Sequence, residues 1–229
     1  MNGKKTEVGV YKGRGVRVFP NVTLGKGVFL DDHVAVGYPN EDEFSRFLTD
    51  FRSGFKVRLE EYVKAPTVIG DNSIIRSGTT ICSGTRIGPN LDCDHGVFIG
   101  GKNVVGSDAT ILYRAMIYHG NRIGNDVIIS GFVCNLCEIG NGVSMFGYLV
   151  HKYDVIGGIP IPDDRLPEPS PIIRDGATVG MLALVIGKVV VGENAYVAAG
   201  AVVKRDVKSG TLVAGNPAKF IRKWTKTDA

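Results

Sequence analysis

The chain has 229 residues, enough for one large domain, and a formal net charge of only +4. So small a balance gives no support for a nucleic-acid partner, and no recognised nucleic-acid-binding motif accompanies it. No apolar run approaches the roughly 20 residues that span a bilayer. The stretch from Met1 to Glu7 is polar and holds no signal-peptide core, so the cytoplasm is the expected location.

Aliphatic residues then recur every six positions. The first run is Val10, Val16, Val22, Val28 and Val34. The second is Ile69, Ile75, Ile81, Ile87, Ile99, Val105, Ile111, Ile117, Ile123 and Ile129, interrupted at Cys93. The third is Ile173, Val179, Val185, Val191, Val197 and Val203. Neither an amphipathic helix nor a simple alternating strand needs this spacing. A period of six predicts a parallel β-helix, one short strand and one corner per hexad. Gly often follows the aliphatic residue, as at Gly70, Gly88, Gly124, Gly140 and Gly192, where it suits a tight corner.

The solenoid is expected over about 8–37, 68–146 and 172–203 of a single domain. Two excursions, about 38–67 and 147–171, break the beat. The first is charged and aromatic, with a short helix predicted near Asp42 to Phe51, capped by Asn40 or Asp42. The register is expected to slip between Asn135 and Ile139. The second excursion carries His151 and five prolines (Pro160, Pro162, Pro167, Pro169, Pro171), which predict a loop and not a strand. Residues 204–229 are expected to cap the last coil, with Gly210 to Trp224 off the beat.

With three hexads per coil, residues eighteen apart stack. His95 is then expected between Ser77 and Tyr113, and His119 on the next corner one coil along, both pointing outward. Cys134 and Cys137 form a CxxC without a second CxxC or a close His pair, so no metal site is expected. The C-terminal end is basic, with Lys204, Arg205, Lys208, Lys219, Arg222, Lys223 and Lys226 against Asp206 and Asp228. It is either a solvated tail or a site for a phosphorylated ligand.

The stretches VGENAYVAAGAVVKRDV and VAGNPAKFIR resemble the acetyl-CoA-binding end of the hexapeptide-repeat acyltransferases. The stretch TVIGDNSIIRSGTTICSGTRIGPNLDCDHGVFIG resembles the branch acting on sugars and nucleotide-linked amino sugars. The resemblance implies an all-β, left-handed parallel β-helix, a homotrimer with active sites between subunits, and acetyl-CoA as co-substrate. It implies acetyl transfer to an amine or hydroxyl of a sugar, with a simple-glycoside O-acetyltransferase as the alternative. The cofactor positions carried over are Ala199, Gly200, Lys204, Arg205, Lys219 and Arg222. Fixed positive charge suits a phosphate, and small residues admit a narrow pantetheine arm.

On the acceptor side His95, in DCDHGVFIG, is the first candidate base, with Asp94 or Asp92 to orient it. His151 is the second, while His119 and His33 are read as structural or exposed. A neutral imidazole accepts a proton near pH 7, which suits the task. Two other classes compete. A γ-carbonic-anhydrase-like zinc enzyme needs two His close in sequence, and His33, His95, His119 and His151 offer no close pair. A non-catalytic scaffold would not need the GNPAKFIR end.

Overall fold

The computed structural model describes residues 9–152, 155–156, 159–160 and 170–225. Strands of two to five residues follow one another around three long sheets of 11, 9 and 8 strands. Each coil adds one strand to each sheet, parallel to the one below it. Ile75, Cys93 and Ile111 are consecutive partners in the first sheet. Ile81, Ile99 and Ile117 are their counterparts in the second, and Ile87, Val105 and Ile123 in the third. These side chains fill the axis of a parallel β-helix, and Cys93 takes its place there fully buried. Truncating one of them, such as Ile99, to Ala is expected to cost about 2–5 kcal/mol.

The beat of the first run is offset. Leu24, Leu30 and Val36 pair with Ile69, Ile75 and Ile81. Val22, Val28 and Val34 therefore stand two residues earlier, at a second inward position of each hexad, because alternate residues of a strand share a face. Later coils fill that position with Ala177, Ala183, Ala195 and Ala201, all buried. At the third-sheet corner it is polar. The Asn103 N–H donates to Thr85 Oγ1 (3.3 Å), the Asn121 N–H to Asn103 Oδ1 (2.8 Å) and the Cys137 N–H to Asn121 Oδ1 (2.8 Å). A buried ladder of side-chain acceptors thus pins each coil to the next, consistent with the rule that interior polar groups find partners.

Gly70 serves a different purpose from the one expected. Its φ is not positive; left-handed backbone falls instead on residues such as Asn72 and Asn90. A Cβ on Gly70 would lie 2.4 Å from the Gly88 carbonyl carbon. Close approach of successive coils, and not corner conformation, requires the glycine there.

The register slip falls earlier than Asn135. Ile111 pairs with Ile129 at a spacing of eighteen, but Ile117 pairs with Val133 and Ile123 with Ile139 at sixteen. Like the steps from Met145 to Leu149 and from Val203 to Val207, the hexad from Ile129 to Val133 has four residues. Gly131 turns that shortened corner with φ 96°.

The first excursion begins after the strand Ala35–Tyr38 and contains helix α1, Glu41–Arg52. Asn40 caps it: its side chain accepts from the Glu43 N–H (3.1 Å), and the Glu43 carboxylate accepts from the Asn40 N–H (3.1 Å). Aromatic contacts run from Tyr38 to Phe44, Phe47 and Tyr62 with ring centroids 5.6–6.1 Å apart. They lay the helix against the solenoid.

The second sheet takes a strand at Tyr148–Val150 before the chain leaves again. Within the excursion Val155–Ile156 pairs antiparallel with Ile159–Pro160, so a short hairpin stands where a loop was expected. Pro160 is the last residue of its two-residue strand, where a missing N–H is tolerated. Pro162, Pro167 and Pro169 lie outside the described residues. The solenoid also outlasts Val203. Thr211–Ala214 pairs in parallel with Tyr196–Val197, and only Lys219–Lys223 turns back antiparallel.

Candidate functional site

Two corners of the solenoid carry the histidines. Residues two positions after the first-sheet core residues form one column, with Ser77, His95, Tyr113 and finally Ala199. Residues two positions after the second-sheet core residues form the other. It runs through Ser83, Gly101, His119, Asn135, His151, Gly187 and Arg205.

His95 is half-exposed at the first corner. Its Nδ1 lies 2.8 Å from Ser77 Oγ, as stacking predicts. Asp94 Oδ1 accepts from the backbone N–H of His95 itself (2.7 Å) and stands 3.8 Å from Nε2, too far to orient the ring. Asp92 is committed to an ion pair with Arg76. Ser77 is therefore the group that holds His95.

The second corner is denser. The His119 N–H donates to Asn135 Oδ1 (3.1 Å), and His151 Nε2 donates to the Asn135 carbonyl (3.1 Å). The Ser170 hydroxyl donates to the same carbonyl (2.7 Å). Asn135 thus ties the histidine of the coil below it and that of the coil above it to one corner. His151 is buried, whereas the His119 side chain is 31% exposed, with Nε2 2.6 Å from Glu41 Oε2 in the first turn of α1. Beside it an open cleft of about 340 Å³ lies between α1 and the solenoid, lined by Tyr38, Glu41, Phe44, Phe98, Tyr118 and His119 among others. Cys82 forms part of its floor, and burial pushes that thiol up to about 12, which leaves it a wall and not a nucleophile.

Glu43 holds this assembly together from below. It is buried, and its carboxylate accepts from the N–H groups of Lys64 (2.7 Å), Ala65 (2.9 Å) and Asn40, and from the Ser83 hydroxyl. Burial pushes its carboxyl up, but these donors together hold it below the usual range. At the rim, a hydrogen bond from the Lys102 ammonium holds Asp42 below the usual range as well. A larger cavity, about 540 Å³, lies along the third sheet with Arg122, Glu138, Arg174 and Asp175 in its wall, and holds no His or Cys.

Of the cofactor positions, Ala199 and Gly200 are exposed, and Gly200 has φ 69° with open space where a Cβ would stand. Arg205 lines a cavity of about 420 Å³ with Lys208 and Phe220. Lys204, Lys219 and Arg222 are exposed, and Arg222 lies over the Trp224 ring at 5.0 Å. Arg205 shares the corner of His119 and His151. At roughly 4.8 Å per coil, it stands about 10 Å from His151 and about 19 Å from His119 along the axis.

Sequence reasoning passed over His119, Glu41 and Asn135 as site residues. Stacking at eighteen hides the column because the shortened hexad makes the interval from His119 to Asn135 sixteen. A cap at Asn40 or Asp42 was legible; the structure selects Asn40 and places Glu41 in the helix's first turn.

Cys134 and Cys137 face each other with Sγ atoms 3.4 Å apart, both buried and both thiols. Among the described residues no three His, Cys, Asp or Glu side chains gather as metal ligands, and no helix is long and apolar enough to cross a membrane.

The family described as bacterial transferase hexapeptide (six repeats) matches residues 170–205. The bifunctional protein GlmU of Shouchella clausii is 32% identical over 66% of this chain and 34% of its own length. Serine acetyltransferase 2 of Arabidopsis thaliana is 36% identical over 49% of this chain and 33% of its own. The chain thus spans about a third of the length of these relatives. Among solved structures, a UDP-N-acetylglucosamine acyltransferase from Campylobacter jejuni aligns over 95% of this chain and 80% of its own with a TM-score of 0.58, at 19% identity, a likeness of fold. The hexapeptide-repeat transferase model thus falls on the third run of the solenoid, and the hexad beat and coil architecture carry the same repeat through the other described coils.

Proposed function

We propose that the protein transfers an acyl group, acetyl in the first instance, from coenzyme A to an amine or hydroxyl of a sugar. A nucleotide-linked amino sugar is the acceptor class that the sequence resemblance favours. The observation that carries this reading is the single corner on which His119 and His151 stand in line with Arg205. A cationic group for a coenzyme phosphate and imidazoles for the acceptor then lie along one axis, separated by coil spacings. The serine acetyltransferase among the relatives supports acetyl as the group moved.

In this reading the acceptor attacks the thioester carbonyl, an oxyanion forms, and a backbone N–H near the thioester stabilises it. Ala199 and Gly200 admit the pantetheine arm, and Lys204, Arg205, Lys219 and Arg222 supply charge at the nucleotide end. His95 and His151 are the two proton acceptors that the sequence nominates. His95 is the open one, and His151 shares the corner of Arg205. Assembly as a homotrimer would place a neighbour's coils across these corners and belongs to the same proposal.

The test is release of coenzyme A from acetyl-CoA with a panel of nucleotide-linked amino sugars and simple glycosides. Turnover with a sugar that exceeds hydrolysis supports the reading. A protein that binds acetyl-CoA yet releases none with any acceptor would sink it. His95→Ala and His151→Ala, compared at saturating acceptor, assign the base between those two.

A further inference from the structure

We propose that the cleft between α1 and the solenoid is the acceptor site, and that His119, paired with Glu41, takes the proton from the attacking group. This rests on the acyl-transfer reading above and goes beyond it by naming the pocket, the sugar's mode of contact and a third histidine.

Three observations converge. The first is the pair itself. Glu41 Oε2 lies 2.6 Å from His119 Nε2. A carboxylate at that distance favours a proton on Nε2, so Nδ1 is left as the proton acceptor, and it stabilises the imidazolium that forms. Glu41 is exposed at 76% and is not used by the capping box, which engages Asn40 and Glu43. Its carboxylate is therefore outside the cap, and adds negative charge to the helix's first turn.

The second is the wall. Phe44 from the excursion and Tyr38 at the end of the preceding strand line about 340 Å³ together with Phe98 and Tyr118 from the coils. Phe98 and Tyr118 lie edge to face at 6.1 Å. A wall of aromatic faces beside a polar pair suits a pyranose ring, which presents C–H groups to the aromatics and amino or hydroxyl groups to the pair. The volume accommodates one sugar ring and leaves bulkier substituents outside.

The third is the backbone beneath. The His119 N–H is held by Asn135 Oδ1, and Asn40 at the helix start is held by Ser83, with Oγ 3.1 Å from its N and 3.0 Å from Nδ2. The backbone of His119 and the residue before Glu41 are thus held to the coils, which brings the pair together as a positioned base requires.

The step balances. A lone pair on the acceptor nitrogen or oxygen attacks the thioester carbonyl carbon, His119 takes the proton, and the electrons of the N–H or O–H bond stay on the acceptor atom. A C–N or C–O bond forms, the C–S bond breaks, and His119 returns the proton to the departing thiolate. Acyl-CoA is the only co-reactant.

The experiment compares wild type, His119→Ala, His119→Gln and Glu41→Gln by steady-state coenzyme A release with the best acceptor. Melting temperatures are measured first. His119→Ala is expected to lose on the order of 100- to 10,000-fold in kcat, with partial recovery when imidazole is added. Glu41→Gln is expected to lower kcat with little change in the KM for acetyl-CoA, because it removes charge from the pair and leaves the cofactor end untouched. Recovery by imidazole is a response that a merely structural histidine would not give. Folded His119→Ala and His119→Gln with wild-type kcat would overturn the proposal while leaving acyl transfer standing. So would a loss confined to His95→Ala. Wild-type protein inert toward every acceptor would overturn the acyl-transfer reading and this inference with it.

Discussion

A Cβ on Gly101 would come within 2.5 Å of the Asn40 Cβ and 2.9 Å of the Ser83 carbonyl oxygen. The start of α1 therefore rests directly on the solenoid backbone, at the coil just below His119. Gly101→Ala is expected to push the helix start outward. Overpacking of this kind typically costs about 1–3 kcal/mol, which chemical denaturation would register. Turnover should fall further than stability accounts for, because Glu41 moves with the helix. An unchanged denaturation midpoint together with unchanged kcat would show that the helix start is not held there.

Glu43 predicts an acid-sensitive dock. Its folded carboxyl lies below the usual range, so the stabilisation it brings is fully present above the unfolded value of about 4.3. It is lost as pH falls through the lower folded value. Glu43→Gln should be less stable than wild type near neutrality, and the gap should close as the solution is acidified. Parallel stability curves across that range would contradict the assigned cause.

The cofactor end makes a graded prediction. Lys219 and Arg222 are exposed on the last strand, and Arg205, exposed as well, lines a cavity with Lys208 and Phe220. Exposed ion pairs contribute only about 0.2–1 kcal/mol each. Replacing Lys219 and Arg222 together by Ala should therefore weaken acetyl-CoA binding by roughly two- to thirtyfold, and the gap from wild type should narrow at raised salt, which screens the charges removed. Arg205→Ala should weaken it at least as much alone. Calorimetry would decide, and unchanged affinity in all variants would remove the cofactor from this end.

The cysteines should be silent in the native protein. Burial pushes Cys82 and Cys93 up to about 12, and the contact with Cys134, together with burial, pushes Cys137 up as well. Thiol reagents act on the thiolate. Native protein near pH 8 should label slowly, and all four thiols should appear on unfolding. Rapid native labelling at Cys134 or Cys137 would mean that this corner opens.

The solenoid was legible because its core repeats in sequence. Cys93 could interrupt the beat without breaking it, since a thiol of similar size fills the aliphatic position. The helix was legible because Asn40 and Asp42, both cap formers, open a charged and aromatic stretch that leaves the hexad beat. The first run misled by two residues because both inward positions there are aliphatic, and periodicity alone does not distinguish Val28 from Leu30. The histidine corner was hidden for a geometric reason. Its members are separated by sixteen residues and not eighteen, and the carboxylate beside His119 comes from an excursion whose return path the hexads do not record.

The four-residue hexad at Ser130 and Gly131 also limits how the molecule can be rebuilt. A Cβ on Gly131 would stand 2.3 Å from the Gly147 carbonyl oxygen, so the short corner and the coil above it interlock. Coils taken from another solenoid could be spliced in between Ile69 and Ile111 or between Val179 and Val203, where partners stand eighteen apart. From Ile111 to Val179 a graft of uniform eighteen-residue modules would rotate Asn135 and His151 away from His119, so a chimaera must carry that stretch as one indivisible cassette.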